Sequence, residues 1–174
     1  MVAEGEADNS NAVLAIQDPY YDSVLYQPGE LIVKYSLHVQ TRISDWPIVK
    51  EFEDLGYDAC WFPDTQMMWS DCYATMAAAA LNTSRIKLGT GVAIPGTRIA
   101  PTTAHSIASI NVLAPGRVFL GIGTGHTAMR VMGQDPMPIK EFREYLRVVR
   151  AMLQGEEVDY EYEELPPHVK EFME

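Results

Sequence analysis

The residues best suited to chemistry in this chain stand where short apolar runs end. One such stretch is "RVFLGIGTGHTAMRVMG" (117–133): an arginine, an apolar run, then Gly121, Gly123 and Gly125, with His126 after them. A dinucleotide fingerprint needs G-x-G-x-x-G opening a helix, with an acidic residue about 20 positions on at the end of the next strand. His126 stands where the third glycine should be, and the region twenty residues on reads as helix, not strand. A P-loop needs Gly-Lys-Ser/Thr, which this stretch lacks. The glycines have another use: main chain without Cβ at a strand end lets a flat ring approach closely. "RIKLGTGVAIPG" (85–96) repeats the feature with Gly89 and Gly91. Either set alone is compatible with ordinary turn glycines. Two consecutive strand ends with the same feature point to a shared floor for a flat ligand.

Other side chains join these positions. His38 closes the first apolar run, so it faces a pocket or lies on its rim. Trp69 follows Met67 and Met68 in an apolar loop that suits either a lid or an interface. Thr90 and Thr124 sit among the glycines, where a hydroxyl can bond a ring or satisfy a strand end. His105 reads as structural. Arg85, Lys87 and Arg117 stand at strand starts, the wrong end for such a site. Cys60 and Cys72 make no disulfide framework, and no metal-ligand spacing occurs.

The elements that must hold these residues alternate. "LIVKYSLHV" (31–39) reads as a strand, and "SDWPIVKEFEDLG" (44–56) as a helix capped by Ser44 or Asp45, with Trp46, Val49, Phe52 and Leu55 on its apolar face. "YDACWFPD" (57–64) has the near-continuous apolar character of a buried parallel strand. A helix over 70–84, a strand over 85–96, a helix over 100–116, a strand over 117–125 and a helix over 138–155 follow. The last has Phe142, Tyr145, Leu146, Val149 and Leu153 on one face. The pattern βαβαβαβα demands parallel strands with helices outside them. That leaves an open doubly wound sheet or half of a (β/α)8 barrel.

"LGTGVAIPGTRIAPTTAHSIASINVLAPGRVFLGIGTG" (88–125) resembles the luciferase-like monooxygenase superfamily, and within it the branch that uses the deazaflavin coenzyme F420. The likeness extends over roughly 31–158. It implies an α/β fold of the (β/α)8 TIM-barrel type, of which only the N-terminal half, about four βα units, is present. It also implies hydride exchange at C5 of the deazaflavin with a small organic substrate, and a non-prolyl cis peptide at Gly91-Val92. The resemblance carries over residue by residue. Asp64 and Trp69 match the family pattern after the second strand, which implies that Asp64 orients the coenzyme and Trp69 shapes the substrate side. Thr65 replaces the family's histidine and is a poor proton donor. His126 replaces a proton-donating glutamate, and an imidazole can exchange protons near neutral pH. The expected catalytic set is therefore His126, Trp69 and His38. The expected cofactor set is Asp64, Thr90, Gly91, Val92, Gly123, Thr124 and Gly125. Two alternatives remain at this point: a monooxygenase using reduced FMN, and a catalytically inactive half barrel that binds a partner.

The net charge of −11 and a pI near 4.7 argue against nucleic acid and anionic membranes as partners. No apolar run is long enough to span a bilayer, and "MVAEGEADNSN" is not a secretory signal, so a cytoplasmic location is expected. Residues 1–30 read as a partly disordered extension, 31–158 as the half barrel and 159–174 as an acidic tail. An isolated half barrel exposes two strand edges and its inner face, so a homo-oligomer or the remainder of the barrel is expected to cover them.

Overall fold

The computed structural model describes residues 33–159. Four strands alternate with helices: β1 (Ser36–His38), α1 (Trp46–Asp54), β2 (Ala59–Phe62), α2 (Cys72–Asn82), β3 (Lys87–Ala93), α3 (Ala100–Leu113), β4 (Val118–Ile122), α4 (His126–Val131) and α5 (Ile139–Leu153). Short 3-10 turns precede α1 and α3, at Ile43–Asp45 and Pro95–Thr97. The strands pair in parallel, in the order β1-β2-β3-β4. A doubly wound sheet reverses its strand order at a switch point, whereas a barrel adds staves in sequence. The observed order is that of half a barrel.

Register explains how the sheet uses its two faces. Ser36 and His38 lie beside Ala59 and Trp61, these beside Lys87 and Gly89, and Gly89 beside Phe119. Period-two alternation puts all of them on one face. Leu37, Cys60, Phe62, Leu88, Thr90, Leu120 and Ile122 take the other. That second face packs on the helices. Cys60, Phe62 and Leu88 are wholly buried with Met76 of α2, Ile107 and Ile110 of α3 and Val149 of α5. The first face is the one a closed barrel would turn inward.

The observed elements are shorter than the apolar runs that encode them. The first strand was expected over 31–39; Ser36–His38 forms, because β1 has β2 alone to pair with, and residues 31 and 32 lie outside the described range. In α1 the expected cap bond is not made by Asp45, and Leu55 falls on the C-cap, where it is exposed. Asp71 does cap α2, accepting from the Ala74 N–H at 2.9 Å. On α5 the expected face is confirmed for Phe142, Tyr145 and Val149, and Val148 joins it. Helix α4 was not anticipated: the fourth strand stops at Ile122, and Gly125, at φ +90°, turns the chain directly into a helix that begins at His126. The expected extension over 1–30 and all but residue 159 of the tail lie outside the described residues.

The end of the sheet away from the strand C-termini is stapled by ions. Glu53 of α1 is buried and accepts from the backbone N–H groups of Ser84 (2.9 Å), Arg85 (2.6 Å) and Ile86 (2.8 Å). Burial by itself would raise its pKa. The three N–H donors and the charge of Lys50 outweigh that and bring it down to about 2. Arg117 donates to the carbonyls of Ala80 and Thr83 at the end of α2, and to the Ile86 carbonyl. Arg85 reaches the carbonyls of Glu53 and Tyr57. These two cations thus cap helix ends and loops at the end of the sheet opposite the candidate site.

Candidate functional site

The C-terminal ends of the strands form the rim where barrel enzymes carry their chemistry. On β3 the Gly91-Val92 peptide is cis, as the resemblance implied. Its pairing with β4 shifts between Thr90 and Ala93. At that irregularity the Thr90 hydroxyl donates to the Gly121 carbonyl at 2.7 Å. Thr90 is wholly buried and alternates with Leu88 on the helix-facing side, so its hydroxyl braces two strands and does not open onto the inner face. His38, at the end of β1, reaches across β2: its Nε2 lies 2.8 Å from the Gly91 carbonyl oxygen. A carbonyl accepts, so Nε2 carries a hydrogen and donates it.

The glycines do something other than leave a bare shelf. A Cβ on Gly89 would lie 2.0 Å from the Phe119 ring, and one on Gly91 2.9 Å from Trp61 Cβ. On Gly121 it would meet the Thr90 carbonyl oxygen at 2.5 Å, on Gly123 the Val92 Cγ2 at 2.9 Å, and on Gly125 the Met129 Cγ at 2.8 Å. Each glycine vacates space that a neighbour's side chain or backbone occupies. The expectation of exposed main chain is therefore corrected. The two strand ends do lie side by side, but the surface they present is made of Trp61, Phe119 and Val92, all half-buried. Trp61 and Phe119 meet edge to face with ring centroids 4.5 Å apart. The surface is built of two aromatic rings and one branched side chain packed over the glycines.

The loop after β2 is organised around Arg98, which the sequence reading missed. Asp64 is buried, with Oδ1 accepting from Gln66 at 2.7 Å and Oδ2 from Arg98 at 2.6 Å. The Ile94 N–H points to the same Oδ2 at 3.4 Å. Arg98 also donates to Asp71 at 2.6 Å, and its guanidinium lies over the Tyr73 ring at 4.8 Å. The Arg98 carbonyl accepts from the Tyr145 hydroxyl, which is 2.6 Å from Thr103 Oγ1. Arg98 therefore joins the loops after β2 and β3 to α2, α3 and α5. Desolvation works against its charge, yet the Asp64 carboxylate more than compensates and pushes its pKa up. The only sequence signal was an acid and a base 34 residues apart, each in a loop after a strand, and charge alone does not pair them. Since both Asp64 oxygens are engaged, Asp64 acts on the rim through Arg98 and Gln66. Among the described residues the Gln66 Oε1 and Tyr73 hydroxyl are buried without a partner in this same region.

Trp69 is half-buried in the turn that follows, its N–H bonded to the Thr65 carbonyl at 3.1 Å. Met67, at φ +68°, and Met68 project from the turn's tip, 82% and 52% exposed. At the end of β4, Gly123 and Thr124 are half-buried, and Gly125 is buried at the start of α4. His126 begins α4, exposed at the rim. His105 is exposed on α3, away from the strand ends. The structure thus joins His38, Gly91 and Val92 directly. It places Gly123, Thr124 and Gly125 at the neighbouring strand end, and puts Trp69 and His126 on separate rim loops. A cavity of about 470 Å³ lies against α5, lined by Ala100, Met137, Glu141, Tyr145 and Val148 among others, and its lining includes none of the expected site residues. Among the described residues no cluster of His, Cys, Asp and Glu suits a metal ion, and no helix is long and apolar enough to cross a membrane.

Residues 47–173 match the family model described as luciferase-like monooxygenase. The chain is 41% identical over 108 residues to a 5,10-methylenetetrahydromethanopterin reductase of Methanolobus tindarius, covering 61% of this chain and 33% of the relative. It is 33% identical over 135 residues to an F420-dependent glucose-6-phosphate dehydrogenase of Kineococcus radiotolerans, covering 70% of this chain and 40% of the relative. Among solved structures, the coenzyme F420-dependent tetrahydromethanopterin reductase of Methanopyrus kandleri superposes with a TM-score of 0.65 at 26% identity, over 75% of this chain and 43% of that one. The chain spans between a third and two fifths of the length of the two curated relatives.

Proposed function

The chain belongs to the luciferase-like monooxygenase family, and from that premise we propose that it carries the ring-side half of an F420-dependent oxidoreductase site acting on a small organic substrate. When bound, the deazaflavin would supply hydride exchange at its C5. The residues of this chain do the rest. Val92 backs the ring, and Trp61 and Phe119 underlie it. His38 holds the carbonyl of Gly91. Gly123, Thr124 and Gly125 border the ring from β4, and Thr90 keeps that strand end in place. Asp64 fixes the loop that carries Trp69 through its pair with Arg98, and Trp69 walls the substrate side. His126 carries the proton that accompanies the hydride, in place of the acidic residue that the resemblance leads one to expect there.

The observation that supports this reading best is half-buried Val92 at the end of β3, set over Gly121 and Gly123, with His38 bonded to the Gly91 carbonyl beside it. A largely apolar surface with few but fixed polar groups suits a planar redox ring. The test is binding of oxidised F420 and of FMN to the chain, read by quenching of the cofactor's fluorescence. Saturable F420 binding, weakened about tenfold or more by Val92→Asp, is the expected result. FMN binding with oxygen consumption by the reduced form would point to the monooxygenase instead. Binding of neither would leave an inactive half barrel as the better reading.

A further inference from the structure

The loop between β2 and α2 turns left-handed at Met67, φ +68°, a conformation that a residue with a side chain keeps only where its surroundings impose it. The imposing contacts stand at the two ends of the loop. At the first end, the Pro63 carbonyl accepts from the Thr41 hydroxyl at 2.8 Å. At the second, the Ser70 N–H donates to the Thr41 carbonyl at 2.7 Å, and the Ser70 hydroxyl accepts from the Ile43 N–H at 3.2 Å. One wholly buried residue after β1 thus holds both ends from one side. Arg98, after β3, does the same from the other: one guanidinium nitrogen meets Asp64 and the other Asp71, each at 2.6 Å. β1 and β3 are the two neighbours of β2 in the sheet, so the clamps flank the loop. Between them, the Trp69 N–H closes a turn on the Thr65 carbonyl at 3.1 Å.

A lid swings on ends that can absorb a change of backbone angle. Here both ends are fixed to the adjoining βα units, by bonds that are buried or charge-assisted. Every partner lies between residues 41 and 98, so the clamp owes nothing to whatever adjoins the outer edges of β1 and β4.

We propose that Thr41 and Arg98 are positioning residues that set Met67–Trp69 as a fixed wall of the rim, in place before any ligand arrives. Each acts through the ends of the loop. That the wall faces a substrate rests on the functional reading above; the clamp itself does not. A wall already in place avoids the ordering entropy that a closing lid loses on binding, and it selects substrates by its standing shape.

The experiment follows hydrogen exchange of the full 174-residue chain at the Trp69 and Ser70 amides, with the Ile107 and Ile110 amides of α3 as reference. In the unaltered chain the loop amides are expected to exchange about a hundredfold or more slowly than in the unfolded chain, with or without oxidised F420. Thr41→Val removes the hydroxyl at nearly constant volume. It is expected to speed loop exchange about tenfold or more while the reference moves less than about twofold. Thr41→Ser keeps the hydroxyl and is expected to behave as the unaltered chain. Arg98→Lys keeps the charge but cannot span two carboxylates, so it is expected to match Thr41→Val. If one variant does not fold, the other and the unaltered chain decide. Loop amides that are unprotected in the unaltered chain, or that slow about tenfold when F420 binds, identify a closing lid and overturn the proposal. So does loop exchange left unchanged by Thr41→Val or Arg98→Lys. Equal acceleration of loop and reference overturns it as well, because the residue then serves stability alone. Should F420 not bind, the functional reading falls, and exchange in the free chain still judges the clamp.

Discussion

Arg98 shows how much one side chain can decide at the rim. Its guanidinium sits between a buried carboxylate and a half-exposed one, with an aromatic ring beneath. Removing one partner of a buried pair strands the other, which costs about 3–5 kcal/mol. Arg98→Met is expected to lower the unfolding free energy from a urea titration by an amount in that range, and Asp64→Asn in the same chain to recover much of the loss. Glycine replacements grade by what they meet. Gly121→Ala would press its Cβ on a backbone oxygen that cannot move away, so a loss of about 1–3 kcal/mol in a denaturant titration is expected. Gly89→Ala meets the edge of a ring, which can turn aside at the expense of its contact with Trp61. It is expected to change the near-ultraviolet circular dichroism of the aromatic pair more than it changes stability. If His126 moves the proton as proposed, His126→Ala should lower turnover by about a hundredfold with F420 binding unchanged.

Between elements, Glu53 is the joint that ties α1 to the start of β3. Three backbone donors hold its anion, so Glu53→Gln is expected to cost about 1–3 kcal/mol. The pH dependence follows from the direction of the shift. Its folded pKa, about 2, lies below the ordinary carboxylate value of 4.5. The unfolded chain therefore binds the proton more readily. The stabilisation is complete above roughly pH 4.5 and is lost as pH falls toward 2. Melting temperatures of the two proteins should differ at pH 7 and converge near pH 2. The elements themselves were legible in part. α5 could be read from its apolar spacing, because one face packs and the other is solvated. β1 was read too long, since an apolar run becomes strand only along the length of a partner. α4 went unseen because six residues are too few for a period, and its start depends on one left-handed glycine.

At the scale of the whole molecule, both thiols lie in the layer between sheet and helices. Burial pushes the Cys60 thiol up to about 12, and Cys72, desolvated and near Asp64, moves up as well. Neither should react with a thiol reagent at pH 8 in the native chain, and both should do so in denaturant. Sequence alone determined that strands and helices alternate, that the strands run parallel, and that the glycines gather at two neighbouring strand ends. These follow from local periodicity and composition, which act over a few residues at a time. Tertiary structure decided the rest. It filled the glycine spaces with Phe119, Trp61 and Val92, sent Thr90 to the helix side, brought His38 to Gly91, and paired Asp64 with Arg98 across 34 residues. Those outcomes depend on strand register and on which loops meet at the rim, and a one-residue slip in register would turn the strand side chains among them to the opposite face.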